Sequence, residues 1–329
     1  MIQLGTEATG VVAADVERIV VAWLGSPAEL DSAELMTGGG YNTTLALRVG
    51  GERVILRIAP AREHERPSEV GMMRNEWAAI PFLRPVAELM PRTLLADFTH
   101  QVIDRDYLIQ SFLPGARARE VIKTWRPADV TTFWHSLGEV LAEVHTVTSA
   151  EFGRIIGPHH RSWSGAVAAN FLAVADGCDE LGLDAADLRQ LADISVQTRG
   201  LLDQVEVAHL LHGDLTPGNV MVDPDHPERG VIGIFDCDRV WWGDPAADWT
   251  VQAVERLESQ QAAGFWAGYG LNLVSDGPAR RRRLLYRAYA LGEARLEHLR
   301  LGRRDLALAT YDAATELIES FLAFPPDPA

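Results

Sequence analysis

The sequence predicts an α+β chain in two lobes: a small antiparallel sheet at the N-terminus, then a larger helical lobe. Short β-prone runs crowd the first third, two of them joined by a Gly-Gly hairpin signal. Long stretches with apolar residues at helical spacing fill most of the remaining two thirds. Leu113-Pro114-Gly115 breaks the chain between them and sets the expected division into 1–113 and 114–329. A chain of 329 residues accommodates two domains, or one domain with two lobes.

The stretch before residue 36 mixes strand and helix character. Thr44 to Val49 and Arg53 to Ala59 are β-prone, and Gly50-Gly51 between them supplies the positive φ angles of a tight turn. Glu69 to Leu83 reads as a helix, because Met72, Met73, Trp77, Ile80 and Leu83 recur at near-helical spacing. Thr93 to Ala96 and Tyr107 to Phe112 are two further strands. Ala128 to Val147 is a long amphipathic helix carrying Phe133, Leu137, Leu141 and Val144. Helical patterns return at about 163–176, 184–204, 246–271 and 278–323, leaving one compact non-helical stretch from Val207 to Trp242.

Composition narrows the function. The apolar fraction of 47% and charged fraction of 23% are globular values, so wholesale disorder is excluded. No apolar run approaches the roughly 18 residues that cross a bilayer, so no membrane partner is expected. The first residues show no basic segment before an apolar core, so no secretory signal is expected. Two cysteines, Cys178 and Cys237, exclude a disulfide scaffold and a cysteine-built zinc site, and fit a reducing cytoplasm. Thirty basic against 46 acidic residues leave a net charge of −16, which repels nucleic acid and favours a cationic ligand.

The chemistry concentrates in two runs, HLLHGDLTPGNVMVD at 209–223 and VIGIFDCDRVWWGDPAADW at 231–249. Asp214 and Asn219 lie five apart in a loop opened by His212-Gly213 and broken by Pro217-Gly218. Asp236 follows a short apolar strand. This is the inventory of phosphoryl transfer. Asp214 can orient an attacking hydroxyl and accept its proton. Asn219 and Asp236 offer the hard oxygen ligands that Mg²⁺ prefers. The same Asp-to-Asn spacing occurs in the protein-kinase pattern H-R-D-x-x-x-x-N.

On Leu210-Leu211-His212-Gly213-Asp214, Asn219-Val220-Met221, Ile234-Phe235-Asp236 and Gly243-Asp244-Pro245-Ala246-Ala247-Asp248, the sequence resembles the aminoglycoside phosphotransferase family, within the protein-kinase-like superfamily. The resemblance spans about 36–320. It implies a protein-kinase-like fold with a five-stranded N-terminal sheet, ATP (or GTP) with Mg²⁺ between the lobes, and transfer to a hydroxyl of a small molecule. It further implies that Gly38, Gly39, Gly40, Tyr41, Asn42 and Thr43 form a phosphate-covering loop. Arg57 would then contact the phosphates in place of the usual kinase lysine, held by Glu76 or, failing that, Glu69. Adenine would bond the carbonyl of Ser111 and the N–H of Leu113. The acceptor pocket is expected from 149–205 and the helices after 245. The acidic balance favours an aminoglycoside or similar antibiotic, with choline, homoserine or a sugar as alternatives. A nucleotide-binding pseudoenzyme and a regulatory protein kinase are the rival classes, and no A-P-E ending of a protein-substrate segment is present.

Other residues carry blander expectations. His145 and His212 read as organising residues, and Asp244 and Asp248 as anchors of loop and helix through backbone hydrogen bonds. His159-His160 reads as an exposed loop, and Asp238 either as a contact to metal or water or, at least as readily, as a surface residue. Arg280 to Arg283 reads as a solvated helix face with salt bridges. Cys237 sits between two aspartates, a poor setting for a thiolate, and Trp241 and Trp242 read as packing residues.

Overall fold

The structure, a computed structural model, describes residues 2–3, 10–26, 29–36, 41–62, 65, 69–273 and 277–324. Gly38, Gly39 and Gly40 of the expected phosphate loop lie outside the described residues.

The smaller lobe is one sheet with a helix on its core face. Its strands are β1 (Ile2–Gln3), β2 (Leu30–Leu35), β3 (Thr43–Val49), β4 (Glu52–Ile58), β5 (Thr93–Asp97) and β6 (Tyr107–Ser111), ordered β1-β2-β3-β4-β6-β5. Gly50 and Gly51, at φ of 56° and 84°, close the β3–β4 hairpin. Five strands are antiparallel, as expected, and the two-residue β1 adds a sixth that runs parallel to β2. A parallel pair needs a crossover connection, and α1 (Ala13–Leu24) provides it. That helix emerges from a stretch read only as mixed in character. Val16, Ile19 and Val20, with Trp23 beside them, face the sheet core of Leu45, Leu47, Leu56 and Ile109.

The helix read over 69–83 is shorter. Helix α2 (Met72–Ala79) begins after Gly71, and the chain passes into a 3₁₀ turn at Arg84–Leu89, where Pro85 cannot continue an α-helix. Ala79, Leu83 and Val86 pack into the core of the larger lobe.

The larger lobe opens with β7 (Ala116–Arg117) and α3 (Ala118–Val121), followed by α4 (Pro127–His145). Strands β8 (Thr148–Ser149), β9 (Phe152–Arg154) and β10 (His159–His160) lead into α5 (Trp163–Glu180), α6 (Ala186–Gln197) and α7 (Arg199–Leu202). The non-helical stretch supplies β11 (Ala208–Leu211), β12 (Val220–Val222), β13 (Val231–Ile234) and β14 (Trp241–Gly243). Helices α8 (Trp249–Val254), α9 (Ser259–Tyr269), α10 (Gly277–Arg300) and α11 (Arg304–Leu322) complete it. The small strands form two sheets, β10-β9-β14-β11-β8 and β13-β12-β7. His159 and His160 therefore sit in a short strand rather than a loop. The arginine run 280–283 lies in α10 but is not a solvated face: Arg282 pairs with Asp244 and Arg283 with Glu255, and the two arginine side chains are only 13% and 15% exposed. Trp242 is buried, and Trp241 packs on Trp163 with ring centroids 5.3 Å apart. No helix among the described residues is long and apolar enough to cross a membrane.

Helices α4 and α9 cross with their backbones nearly touching. A Cβ on Gly138 would lie 2.2 Å from the carbonyl oxygen of Phe265, and one on Gly268 would lie 2.0 Å from that of His135. Gly268→Ala is therefore expected to destabilise the protein by about 1–3 kcal/mol through overpacking. Gly200→Ala, on a helical glycine with open space around it, should be neutral or slightly stabilising. Urea unfolding of the two variants checks the contrast.

Candidate active site

The site is assembled by strand pairing. Antiparallel β12 and β13 set Val220 opposite Ile234, and the N–H of Phe235 donates to the carbonyl of Asn219 at 3.1 Å. The residue before one strand, Asn219, thus lies beside the residue after the other, Phe235, with Asp236 next in the chain. Asp236 holds φ at +66°, a left-handed conformation rare outside glycine but tolerated best by Asp and Asn.

The loop carrying Asp214 is fastened from below. The N–H groups of His212 and Gly213 donate to one carboxylate oxygen of Asp248 at 2.8 and 3.2 Å. The other oxygen accepts from the N–H of Thr250 at 3.0 Å and caps α8. His145 lies 3.5 Å from the same carboxylate and is held by Tyr269 at 2.8 Å. Burial alone would raise the Asp248 pKa, but these hydrogen bonds outweigh it and hold the group at about 2. Asp244 caps the turn after β14, accepting from the N–H of Ala246 at 3.0 Å and from Tyr286 at 2.7 Å. Both aspartates are thus anchors, as the sequence suggested. His212 is fully buried against Cys237, with 3.5 Å between Nε2 and Sγ. Gly213, at φ of 78°, runs under the backbone of Arg239, whose carbonyl oxygen would be 2.3 Å from any Cβ. Within this frame the Asn219 amide donates to the Asp214 carbonyl at 2.9 Å and to its carboxylate at 3.0 Å. Burial pushes the Asp214 carboxyl up to about 6; Arg239 opposes the rise and Asp236 adds to it.

Arg57 meets this assembly from β4. Its guanidinium, 6% exposed, donates to both carboxylate oxygens of Glu76 at 2.6 Å. It also donates to Asp236 and lies 3.8 Å from Asp238. Gln110 donates to Glu76 at 3.1 Å. Burial works against the charge on Arg57, but the surrounding carboxylates, Glu76 foremost, outweigh it and hold the guanidinium more firmly protonated than usual. Glu69, the alternative partner, instead takes Arg300 at 3.1 Å.

These groups open into one cleft of about 1130 Å³, lined by Tyr41, Asn42, Arg57, Asp214, Asn219 and Asp236. Ser111, at the end of β6, and Leu113, in the linker, line it too. Thr43 does not. Strand alternation turns it to the sheet face of Leu45 and Leu47, and Thr44 faces the cleft in its place. Segment 149–205 contributes no lining residue, which corrects the expected pocket. Helices α5 and α6 of that segment pack behind α10, and the cleft receives α8, α10 and α11 instead. Asp238 is not a surface residue either. At 5% exposure it completes, with Glu76 and Asp236, a group of carboxylates whose oxygens lie within 4.8 Å of one another. Burial and the neighbouring Asp236 push its pKa well above the ordinary range. Its position two residues after Asp236 was the only signal available in the sequence.

The profile of the phosphotransferase enzyme family matches residues 32–286. The chain belongs to the aminoglycoside phosphotransferase family. Its protein-kinase-like fold recurs in solved structures of low identity. One is a thermostable variant of aminoglycoside phosphotransferase APH(4)-Ia in ternary complex with AMP-PNP and hygromycin B, at TM-score 0.67 and 18% identity, covering 94% of this chain and 100% of that one. Another is a GDP and kanamycin complex of APH(2")-IIia, at 0.62 and 14%, covering 92% and 97%. A third is a putative fructosamine-3-kinase from Haemophilus somnus 129PT, at 0.59 and 14%, covering 90% and 96%. No curated protein matches the chain. As a member of this family, the chain is a kinase of the small-molecule type.

The donor set suits the cofactor that such chemistry needs. Glu76, Asp236 and Asp238 gather hard carboxylate oxygens of the kind Mg²⁺ takes. The side-chain amide oxygen of Asn42, which lines the cleft, is buried without a hydrogen-bond partner among the described residues, an acceptor left for a donor or a cation.

Two variants probe the frame. Glu76→Gln leaves the buried Arg57 short of countercharge, so stability should fall by about 3 kcal/mol, with weaker nucleotide binding; urea unfolding and nucleotide titration read both. Asp248→Ala strands three N–H groups, and should cost about 3 kcal/mol and slow turnover. Because its folded pKa lies below the ordinary 3.8, the contribution of Asp248 is present above about pH 4 and is lost as pH falls towards 2. The stability gap between wild type and Asp248→Ala should narrow over that window.

Proposed function

We propose that the protein transfers the γ-phosphoryl group of ATP to a hydroxyl of a small molecule. The observation that carries this reading is the convergence of Asp214, Asn219 and Asp236 with Arg57 in one cleft. Asp214 acts as the base: it orients the acceptor hydroxyl and takes its proton as the oxygen attacks. A carboxyl at about 6 is ionised at neutral pH yet basic enough to help. Asn219 holds Asp214 in place and, with Asp236, is the ligand pair for Mg²⁺, which when bound neutralises charge on the transferring phosphates. Arg57 faces the phosphates, its fork fixed by Glu76. Tyr41 and Asn42 cover them. The carbonyl of Ser111 and the N–H of Leu113 bond the adenine. A pseudoenzyme reading finds no support in a site that keeps its base and its oxygen ligands.

An aminoglycoside or other antibiotic acceptor draws support from the net charge of −16 and from the hygromycin B and kanamycin complexes of similar structures. A metabolite acceptor draws support from the fructosamine-3-kinase named among them. Surface charge acts at long range, and identities of 14–18% do not reach the pocket. The lining of the cleft is the more direct guide.

Asp214→Asn should lower turnover by about 10²–10⁴ with the nucleotide still bound. In the wild type, kcat/KM should be full above about pH 6 and fall with unit slope below it as Asp214 gains a proton. That limb should be missing from the residual activity of Asp214→Asn. A transfer assay read by acceptor mass across pH tests both, and near-full activity in the variant would overturn the assignment.

A further inference from the structure

Away from the phosphates, the cleft is walled by α8 and the turn after it, by α10 and by α11. Most carboxylates of this wall are already engaged. Glu293 faces Arg239 at 3.5 Å and accepts from the Tyr289 hydroxyl at 3.2 Å. Glu297 is paired with Arg300, which also donates to Glu69 at 3.1 Å. A polycationic acceptor would have to displace guanidinium groups from these partners before it could use them.

Two guanidinium groups of the same wall are not engaged. Arg256, just after α8, and Arg287, on α10, both line the cleft, both are exposed, and neither side chain has an ion pair or hydrogen bond among the described residues. The nearest carboxylate in sequence is committed elsewhere: Glu255 pairs with Arg283, one turn before Arg287 on α10. Arg283 itself sits below its ordinary pKa, through burial and then through the like charge of Arg287. Against these two cations stands one carboxylate of the wall without a partner among the described residues, Glu316 on α11. The unpaired groups of the wall therefore carry one net positive charge inside a strongly acidic chain. It also presents Ala290, Leu291, Ala294 and Leu317, an apolar strip from α10 and α11.

We infer that the acceptor carries a carboxylate besides the hydroxyl that is phosphorylated, with that carboxylate on Arg256 and Arg287 and its hydrocarbon part on the strip. Guanidinium groups suit this task because their fork matches the two oxygens of a carboxylate. The inference deepens the phosphotransfer reading and rests on it.

The test is a matched panel given to the full chain with Mg-ATP and read by acceptor mass. Its members are 3-(hydroxymethyl)benzoate and a set of aliphatic hydroxy acids, the methyl ester of each, the amino alcohol corresponding to each, and kanamycin and hygromycin B. Hydroxy acids should be phosphorylated with kcat/KM at least about tenfold above their esters, the contribution of one charge-assisted hydrogen bond. Arg287→Gln and Arg256→Gln should each raise KM for the acids about tenfold and leave the esters unchanged. Arg287→Glu should reverse the order and favour the amino alcohols. Esters, amino alcohols or the two antibiotics matching or exceeding the acids would overturn the inference while leaving phosphotransfer standing. So would indifference of the acid-to-ester ratio to all three variants, or silence of the whole panel in a protein that binds Mg-ATP. Failure of Mg-ATP to bind would instead sink the phosphotransfer reading itself.

Discussion

A buried guanidinium among three carboxylates is the constraint on which the rest of the site depends. Arg57 comes from the small sheet, Glu76 from the helix beside it, and Asp236 and Asp238 from the larger lobe. None of these charges could be taken from water alone without a penalty of several kcal/mol, so each fixes where the others must be. The grouping ties the phosphate-facing strand to the metal-facing loop. It also explains why the sequence can replace the usual lysine: a fork can hold Glu76 through one nitrogen and reach Asp236 through another, where an ammonium is a single point.

A second buried charge plays the matching part for the base. Asp248 holds the backbone of His212 and Gly213, and those two residues hold Asp214 at the cleft. The two carboxylates sit at opposite extremes for one physical reason. Asp248 is buried with a full complement of donors and stays ionised, whereas Asp214, half-buried at the cleft, has few and is pushed up towards neutrality. The supply of donors divides anchor from base.

Much of this was legible in the residues. The Gly50-Gly51 hairpin, the five-residue spacing of Asp214 and Asn219, and the strand before Asp236 are local features, and local features survive the absence of coordinates. Helix α1 was legible too, since Val16, Ile19, Val20 and Trp23 form a helical stripe, but its short apolar runs resemble strands when read piecemeal. Glu76 was legible as the partner of Arg57 because it precedes an apolar helical face, but the burial of Asp238 depends on which elements meet across the fold, and no spacing encodes that. The same holds for the acceptor wall. Segment 149–205 is largely helical and lies between the right landmarks, yet α10 takes the place against the cleft and leaves α5 and α6 behind it.

Helix α2 has a further significance. Asn75, fully buried, donates to the carbonyls of Asp238 and Val240 at 3.0 and 2.7 Å, and accepts from the N–H of Ile156 at 3.3 Å. Ala79 and Leu83 continue the attachment into the larger core. By sequence this helix sits among the strands of the sheet; by mechanics it is part of the floor. It is fastened to the sheet as well, through Arg57 and Gln110 on Glu76, through Arg74 on Asp106, and through Met73 packed on Leu108. The helix is therefore the coupling between roof and floor, and a displacement of either is felt at Arg57.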